Sequence, residues 1–420
     1  MSLNAEQQIV FDAVKERRSV LMTGAGGVGK SYIIGTIVAW AEAIGLSIGV
    51  TAMTGCAAIL INGSTLHSFL GIGLATKTVP QLVQATLRNK KTFHKLRSLQ
   101  LLIIDEVSMI NEELFDLISE YLSEITTNPA PFGGIQLILS GDLYQIHPIR
   151  GQFFFKSKTW DRLNPLVLDL KKSQRHLKDD AFSALLQKLR LGKCDSEMLQ
   201  ILKQTEANLA KFPANIKPTI MYTKNVDVDT INQQEIDKLV ASGAHHMTYP
   251  LVSPSAAALR WATSCKIPES IQLAIGCQVM LVWNVSLSEN LCNGSRGVII
   301  ELDKSGVTVN FLTAGIRKIE YISVEKDEKI DGKKVTIRFM PLRLAYAITV
   351  NKAQGMTMDA AVVDMNVGSC SPEFIYGKFY TAISRVRDLN SIVVKNPHKS
   401  LFKAHPDVAA FYASSTSNAP

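Results

Sequence analysis

Gly24-Ala-Gly-Gly-Val-Gly-Lys-Ser31 fits the pattern GxxxxGK[ST], with the apolar run Val20–Thr23 in front of it and a helical stretch, Ser31–Ala43, behind it. A glycine loop held between a strand and a helix restricts the fold more than any other feature here, because it belongs to parallel α/β sheets. Gly24, Gly26, Gly27 and Gly29 let backbone N–H groups close around phosphate oxygens, and the N-terminus of the following helix adds positive potential. In such a loop Lys30 reaches the β- and γ-phosphates of a nucleotide and Ser31 ligates Mg²⁺.

The flanking sequence agrees with a parallel α/β sheet. Residues 1 to 170 alternate strand-like runs (Val20–Thr23, Ile48–Ala52, Leu101–Ile104, Ile135–Ser140, Leu166–Leu168) with helical stretches such as Asn4–Lys15 and Glu112–Ile125. Helices are also expected at Asp180–Leu191 and, after the strand-like Thr219–Thr223, at Asn225–Leu239. From about 250 to 336 the texture changes to short alternating runs separated by Gly, Asn and Asp (Gln278–Trp283, Gly297–Leu302, Val307–Phe311, Val335–Phe339). That is the pattern of a small antiparallel barrel. An α/β texture returns at Pro341 and ends near Tyr412, and the last residues, 414–420, are expected to be disordered. With 420 residues, about 150 per domain gives two to four domains.

Ala43 to Ile61 is a run of nineteen residues without a charge, about the length that spans a bilayer. Gly45, Gly49 and Gly55 break it, and no positive flank orients it, so it reads as a buried strand followed by a small-residue helix. The first fifteen residues carry acids and no apolar core, so no secretory signal is expected. The six cysteines lie far apart, without metal-ligand spacing, and read as free thiols of a reducing compartment. The expected location is therefore intracellular, nuclear or cytoplasmic, neither secreted nor membrane-bound. A net charge of +8 excludes little, although it leans toward an acidic partner such as nucleic acid.

Nucleotide hydrolysis needs a carboxylate for the metal and a group that orients water. Leu101-Leu-Ile-Ile-Asp-Glu106 supplies both at the C-terminal end of an apolar strand, where ligands of α/β sheets bind. Asp105 would hold Mg²⁺ through water, and Glu106 would polarise the attacking water. Leu139-Ser-Gly-Asp-Leu-Tyr-Gln145 ends another strand, and its Gln145 is placed to feel the γ-phosphate or to cap a turn.

Together these elements resemble the superfamily 1B DNA helicases of the Pif (petite integration frequency) family, related to RecD and Dda. Leu3-Asn-Ala-Glu-Gln7 resembles the Q motif, whose glutamine reads adenine, here Gln7. Thr51-Ala-Met-Thr-Gly-Cys-Ala-Ala58 and Ser64-Thr-Leu-His-Ser-Phe69 resemble motif Ia and its extension, which hold single-stranded DNA. The resemblance thereby points to Thr51, Thr65, His67 and Phe69, the last read equally well as a core ring or a base-stacking ring. Pro131–Asp142 resembles motif III, and Gln174-Arg175 lies where motif IV carries its arginine. Gly276–Met280 and Asn293–Gly297 resemble the family's barrel-associated segment. Asn351-Lys-Ala-Gln-Gly-Met-Thr357 resembles motif V, which assigns Gln354 and Gly355 to the nucleotide and Lys352 to DNA. Tyr380–Arg387 resembles motif VI, with Arg385 in the finger position. Three features depart from the family: Asn351 and Ala353 replace a His and a Ser, Ser123 and Thr126 stand where two arginines are usual, and His147 replaces a common proline.

What the resemblance implies is a near-minimal motor of two RecA-like domains. Domain 1A would occupy 1–170 with a wedge subdomain 1B at 72–98, domain 2A 171–249 and 337–413, and an SH3-like insertion 2B 250–336. ATP and Mg²⁺ would be its cofactors, and Arg175 and Arg385 would face Lys30 from the opposite sheet. Its partners would be single-stranded DNA and forked or tailed duplexes, with single-strand-binding or replication proteins beside them, and it would act as a monomer. The activity implied is 5′-to-3′ translocation and unwinding in DNA replication, repair or recombination. Between Lys77 and Arg97 six basic residues occur with no acid, and Phe93 and His94 are interleaved with them. Lys90, Lys91 and Lys95 suit phosphates and Phe93 suits a base, although a solvated basic helix face would look the same. An RNA helicase of the same superfamily and a DNA-stimulated ATPase that remodels protein–DNA complexes without unwinding remain open.

Overall fold

Three strands of the N-terminal half, β1 (Val20–Gly24), β4 (Leu101–Asp105) and β5 (Gln136–Gly141), are buried at every position, which requires cover on both faces of their sheet. This computed structural model describes all residues except 1–2, 55–56, 59–60, 149, 172–179, 212–216, 223–224, 254, 257, 260–261, 263–266, 284, 287–288, 290, 292–294, 313, 331–332, 356–357, 359, 367–374, 387 and 416–420. With β2 (Ile48–Ala52), β3 (Ser64–Thr65) and β6 (Leu166–Leu170) the three form a six-stranded sheet in the order β3-β2-β4-β5-β1-β6. Every adjacent pair runs parallel, so all six C-terminal ends open on one edge. That edge carries the glycine loop after β1, Asp105 and Glu106 after β4, and Asp142–Gln145 after β5.

The helices begin where the sequence supplies caps. Asn4 precedes α1 (Ala5–Lys15) and forms a reciprocal box with Gln7, the Asn4 side chain accepting from the Gln7 N–H at 2.9 Å and the Gln7 side chain accepting from the Asn4 N–H at 3.0 Å. Helix α2 (Lys30–Ala43) buries Ile33, Ile34 and Ile37 against α1 and the sheet. Between β3 and β4 lie three short helices, α3 (Leu66–Leu70), α4 (Val79–Arg88) and α5 (Lys90–Arg97). They are held on α6 (Glu112–Thr126) by a buried chain of hydroxyls: Thr86 bonds Tyr121 at 2.6 Å, and Tyr121 donates to the Leu70 carbonyl at 3.1 Å. Beyond β6 the chain continues through α7 (Asp180–Arg190) and α8 (Ser196–Gln204).

By its contacts the chain divides into two units, Met1–Leu209 with Val350–Pro420, and Ala210–Thr349. In the second, β7 (Thr219–Tyr222) lies parallel to β17 (Ala347–Thr349), and α9 (Asn225–Ala241) packs beside them. An antiparallel sheet of β10 (Gln278–Leu281), β11 (Arg296–Leu302), β12 (Gly306–Phe311), β13 (Gly315–Glu320) and β16 (Leu342–Leu344) has the order β13-β12-β11-β10-β16. Strands β14 (Ile322–Ile330) and β15 (Lys333–Phe339) form a hairpin, and β8 (His246–Pro250) pairs with β9 (Ser270–Ala274). The expected antiparallel texture is thus present and reaches beyond 250–336 on both sides. Its core contains Leu273, Val279, Ile299, Val309, Phe311 and Ile319.

The remaining elements of the first unit are α10 (Val350–Ala353), β18 (Ala361–Asp364) parallel to β19 (Ile392–Lys395), α11 (Lys378–Ile383) and α12 (Pro406–Ser415). Disorder was expected from residue 414, but Ser414 and Ser415 belong to α12, whose apolar side continues through Phe411 against Phe155 and Trp160. Residues 416–420 lie outside the described residues. Among the described residues no helix is long and apolar enough to cross a membrane.

Ser123 and Thr126, which replace two arginines of the family pattern, have structural work at the end of α6. The Ser123 hydroxyl donates to the Ala130 carbonyl at 2.9 Å and accepts from the Gly133 N–H at 3.2 Å, and Thr126 donates to the Gly133 carbonyl at 3.2 Å. Gly133 has φ +66°, and a Cβ there would lie 2.1 Å from the Thr126 hydroxyl and 2.8 Å from the Leu122 carbonyl oxygen. Gly133→Ala should therefore add left-handed strain of about 1–2 kcal/mol and overpacking of about 1–3 kcal/mol. A lowered urea midpoint for the first unit is the expected result.

Candidate active site

The glycine loop wraps closely because three of its residues lie where a side chain would be strained: Gly24 at φ +147°, and Gly27 and Gly29 each at φ +89°. At Gly24 a Cβ would come within 2.5 Å of the Leu170 carbonyl oxygen, whereas nothing stands within 4 Å of one at Gly26. The loop is thus pinned to β6 on one side and open on the other. Gly29 precedes α2 and offers no side-chain cap, so the first N–H groups of that helix are left for an anion. The Lys30 ammonium donates to the carbonyls of Gly24 at 2.6 Å and Ala25 at 3.0 Å. Burial pushes it below the ordinary lysine value, against the pull of Asp142, Asp105 and Glu106. Ser31 is exposed at the start of α2. Gln7, buried under its capping role, also donates to the Gly29 carbonyl at 3.5 Å, which ties α1 to the loop.

Asp105 ends β4 buried, and Glu106 follows in the left-handed region at φ +57°. Held there, a non-glycine residue stores strain that the surroundings must offset. Burial raises both carboxylates above their ordinary range; the Asp105 charge raises Glu106 further, while Arg385, Gln354 and Lys30 oppose the shift. The Gln354 side-chain amide donates to Glu106 at 3.2 Å and to the Ser108 hydroxyl at 3.1 Å. Gly355 has φ +80°, and a Cβ there would sit 3.6 Å from the Glu106 carboxylate. Arg385 is buried at the end of α11 and donates to the Thr381 carbonyl at 2.8 Å and the Ser384 hydroxyl at 2.7 Å. Burial lowers its guanidinium pKa, with Glu106 first among the groups that oppose the shift. Gln354, Gly355 and Arg385 therefore act around Glu106.

The Asp142 carboxylate, fully buried, accepts from Arg190 Nε at 2.9 Å, the Tyr380 hydroxyl at 2.6 Å and the Tyr144 N–H at 3.2 Å. The Gln145 N–H donates to the Asp142 carbonyl at 3.0 Å, so this turn sets where Gln145 stands. Gln145 is buried, and its Oε1 has no partner among the described residues. Arg190 and Tyr380 were not expected here. Arg190 closes an amphipathic helix as a basic last-turn residue, a position that ordinarily faces solvent, and nothing in the local sequence marks it as buried. Arg175 lies outside the described residues.

The residues assigned to DNA divide. Thr51 is fully buried, and its hydroxyl donates to the Ile103 carbonyl at 2.6 Å. The structure corrects the expectation that it grips DNA: the hydroxyl ties β2 to β4 and is closed to solvent. Thr65 caps α3, its hydroxyl accepting from the Ser68 N–H at 3.4 Å, and remains half-exposed. His67 is half-buried, which lowers its pKa. One edge of the Phe69 ring packs where a Gly49 Cβ would be, and the Lys95 ammonium lies 4.0 Å from the ring centroid and donates to the Phe69 carbonyl. Lys90, Lys91, Lys95 and Lys352 are exposed; Phe93 is half-buried beneath the Arg97 guanidinium at 5.6 Å. Lys90 and Lys91 occupy the first turn of α5, which contains no acid. Cations there oppose the helix dipole, so helix stability does not account for them.

A family model described as PIF1-like helicase matches residues 2–200, and one described as DNA helicase Pif1, 2B domain, matches residues 262–302. The human ATP-dependent DNA helicase PIF1 is 34% identical over 98% of this chain, which spans 63% of that protein. Uncharacterized protein 030L of Invertebrate iridescent virus 6 is 30% identical, with 98% of this chain and 94% of that one covered. Among solved structures, the Pif1 helicase from Candida albicans superposes with a TM-score of 0.88 at 30% identity and 99% coverage of both chains. A Bacteroides Pif1 helicase in complex with ADP-AlF3 and single-stranded DNA gives 0.80 at 25% identity, covering 100% of this chain and 98% of that one. These likenesses extend to the fold of two RecA-like α/β domains with the smaller insertion. The chain belongs to the PIF1-like helicase family.

Proposed function

We propose that this chain is an ATP-dependent DNA helicase that translocates 5′-to-3′ on single-stranded DNA. The observation that carries the reading is the meeting of Gln354 with Glu106, two residues 248 positions apart, beside a loop whose lysine hydrogen-bonds, among the described residues, only to backbone carbonyls. The curated relatives named as helicases are longer than this chain, and the reading applies to the motor they share with it. Within it, 1–170 is assigned to domain 1A with the wedge at 72–98, 171–249 and 337–413 to domain 2A, 250–336 to domain 2B, and 414–420 to the tail, of which Ser414 and Ser415 are helical.

ATP fits the site. The loop is open at Gly26, and the uncapped start of α2 and the Lys30 ammonium are electropositive and point to an anion. Ser31 and Asp105 would hold Mg²⁺, a cation that keeps several waters and needs few protein ligands. When bound, the ion neutralises charge on the phosphate oxygens. Lys30 exchanges its two carbonyls for phosphate oxygens, and Glu106 takes a proton from the water that attacks the γ-phosphorus. Gln354 orients the Glu106 carboxylate, Gln145 faces the γ-phosphate, and Arg385 answers the charge that develops on the transferred group. Gln7, Gly24, Gly27, Gly29 and Gly355 complete the nucleotide pocket. Thr65, His67, Phe69, Phe93, Lys90, Lys91, Lys95 and Lys352 supply the DNA contacts, and Arg175 a second finger.

A planar guanidinium can grip two phosphate oxygens where an ammonium cannot. Arg385→Lys should therefore cut DNA-stimulated kcat heavily while ATP binding weakens little; fingers in related chemistry contribute about 10³ to 10⁵. Steady-state ATP hydrolysis with saturating poly(dT) measures it, and a lysine variant that keeps most of the wild-type kcat removes Arg385 from the chemistry. Stimulation by poly(U) in place of poly(dT) would make the chain an RNA motor.

Neutralising Lys90, Lys91 and Lys95 together should weaken single-strand binding and flatten its salt dependence by about 0.7 for each lost phosphate contact. An unchanged slope of log K against log salt would return α5 to an ordinary solvated face.

A further inference from the structure

The Asp142 turn is fixed from behind by a cluster that no motif of the motor reading includes. Arg190 donates from Nε to Asp142 and from Nη2 to Asp169 at 3.4 Å and to the Tyr412 hydroxyl at 3.3 Å. Asp169 also accepts from the Thr23 hydroxyl at 3.1 Å, one residue before the glycine loop. The Tyr412 ring stacks on Tyr144 with centroids 5.2 Å apart and planes within 6° of parallel, and the guanidinium lies 4.9 Å over Tyr144. Gly377, which opens α11, touches the same turn so closely that a Cβ would fall 2.3 Å from the Gln145 carbonyl oxygen. Burial works against the Arg190 charge, and Asp142, Tyr412, Tyr380 and Asp169 more than offset it.

We infer that Tyr412, on the C-terminal helix α12, and Arg190 are positioning residues for Gln145, and that seating of α12 against the Asp142 turn sets how well the site recognises a γ-phosphate. Tyr412 fixes the ring of Tyr144 and one end of the Arg190 fork; Arg190 fixes Asp142; and Asp142 holds the turn that presents Gln145, the side chain with a buried unpaired oxygen. Neither Tyr412 nor Arg190 needs to touch the nucleotide for this. The Tyr412 ring stack and the part-buried hydrogen bonds of Arg190 support one another, so loss of the ring or of the guanidinium fork shifts the turn. The inference rests on the ATP site proposed above, and it makes the far end of the chain a control point for that site.

The test is nucleotide binding to the full chain, with fluorescent ADP and a fluorescent non-hydrolysable ATP analogue, in wild type, Tyr412→Ala, Tyr412→Phe and Arg190→Lys. Tyr412→Ala and Arg190→Lys should lower the preference for triphosphate over diphosphate on the order of tenfold, the scale of one charge-assisted hydrogen bond. ADP affinity should stay within about twofold, and Tyr412→Phe, which keeps the stacked ring, should retain most of the preference. Unchanged preference in Tyr412→Ala and Arg190→Lys overturns the inference, as does parallel loss of ADP and ATP affinity, the mark of a merely structural role. Because the readout is binding, a wild-type chain that prefers triphosphate but hydrolyses none overturns the motor reading and leaves this one standing.

Discussion

Placing charged groups at the edge of an otherwise apolar sheet is the constraint on which this structure depends. The strands that bring Lys30, Asp105 and Asp142 together are buried along their whole length, so these charges leave bulk water on one shared edge. Desolvation is expensive unless partners are present, and each charge has a different remedy. Lys30 leans on two loop carbonyls, Glu106 on the Gln354 amide, and Asp142 on Arg190 and Tyr380. The first is the least complete in direct contact, since carbonyl dipoles hold the ammonium while the carboxylates of Asp142, Asp105 and Glu106 act on it without a hydrogen bond among the described residues. That incompleteness makes the loop receptive to phosphate.

The same constraint explains why chain-distant segments converge here. Gln354 and Arg385 come from beyond the antiparallel insertion, yet belong to the contact unit that contains the glycine loop. Their arrival changes the electrostatics of Glu106: burial and Asp105 favour its neutral form, while Arg385 and Gln354 favour the carboxylate that can accept a proton. The balance between these influences is therefore set by α10 and α11, the segments that carry motifs V and VI. A DNA strand gripped by motif V, at Lys352, would act two residues from Gln354. That would be a short physical route from DNA to the proposed hydrolytic site.

Much of this arrangement is legible in the sequence. Strands β1, β4 and β5, buried at every position, stand out as apolar runs, as do the partly buried β2 and β6, and Asn4 marks the start of α1. The phosphate loop is legible because its glycines have a geometric purpose that few other patterns share. What escapes is long-range and polar. Strands β13 and β14, Gly-Ile-Arg-Lys-Ile-Glu and Ile-Ser-Val-Glu-Lys-Asp-Glu-Lys-Ile, carry too many charges to show an apolar face. Arg190 escapes because its partners Asp142, Asp169 and Tyr412 come from three other elements. Thr51 misleads in the opposite sense, since a hydroxyl in a DNA-binding motif and a hydroxyl tying two strands have the same sequence.

The central claim is that ATP hydrolysis at the Lys30 loop drives directional movement along one DNA strand. Strand displacement measures it most directly, with one duplex carrying either a 5′ or a 3′ single-stranded tail, in the presence and absence of ATP. The account predicts ATP-dependent unwinding of the 5′-tailed substrate while the 3′-tailed and blunt duplexes stay intact. Unwinding confined to the 3′-tailed duplex, or no unwinding while ATP is hydrolysed on the same DNA, would contradict it.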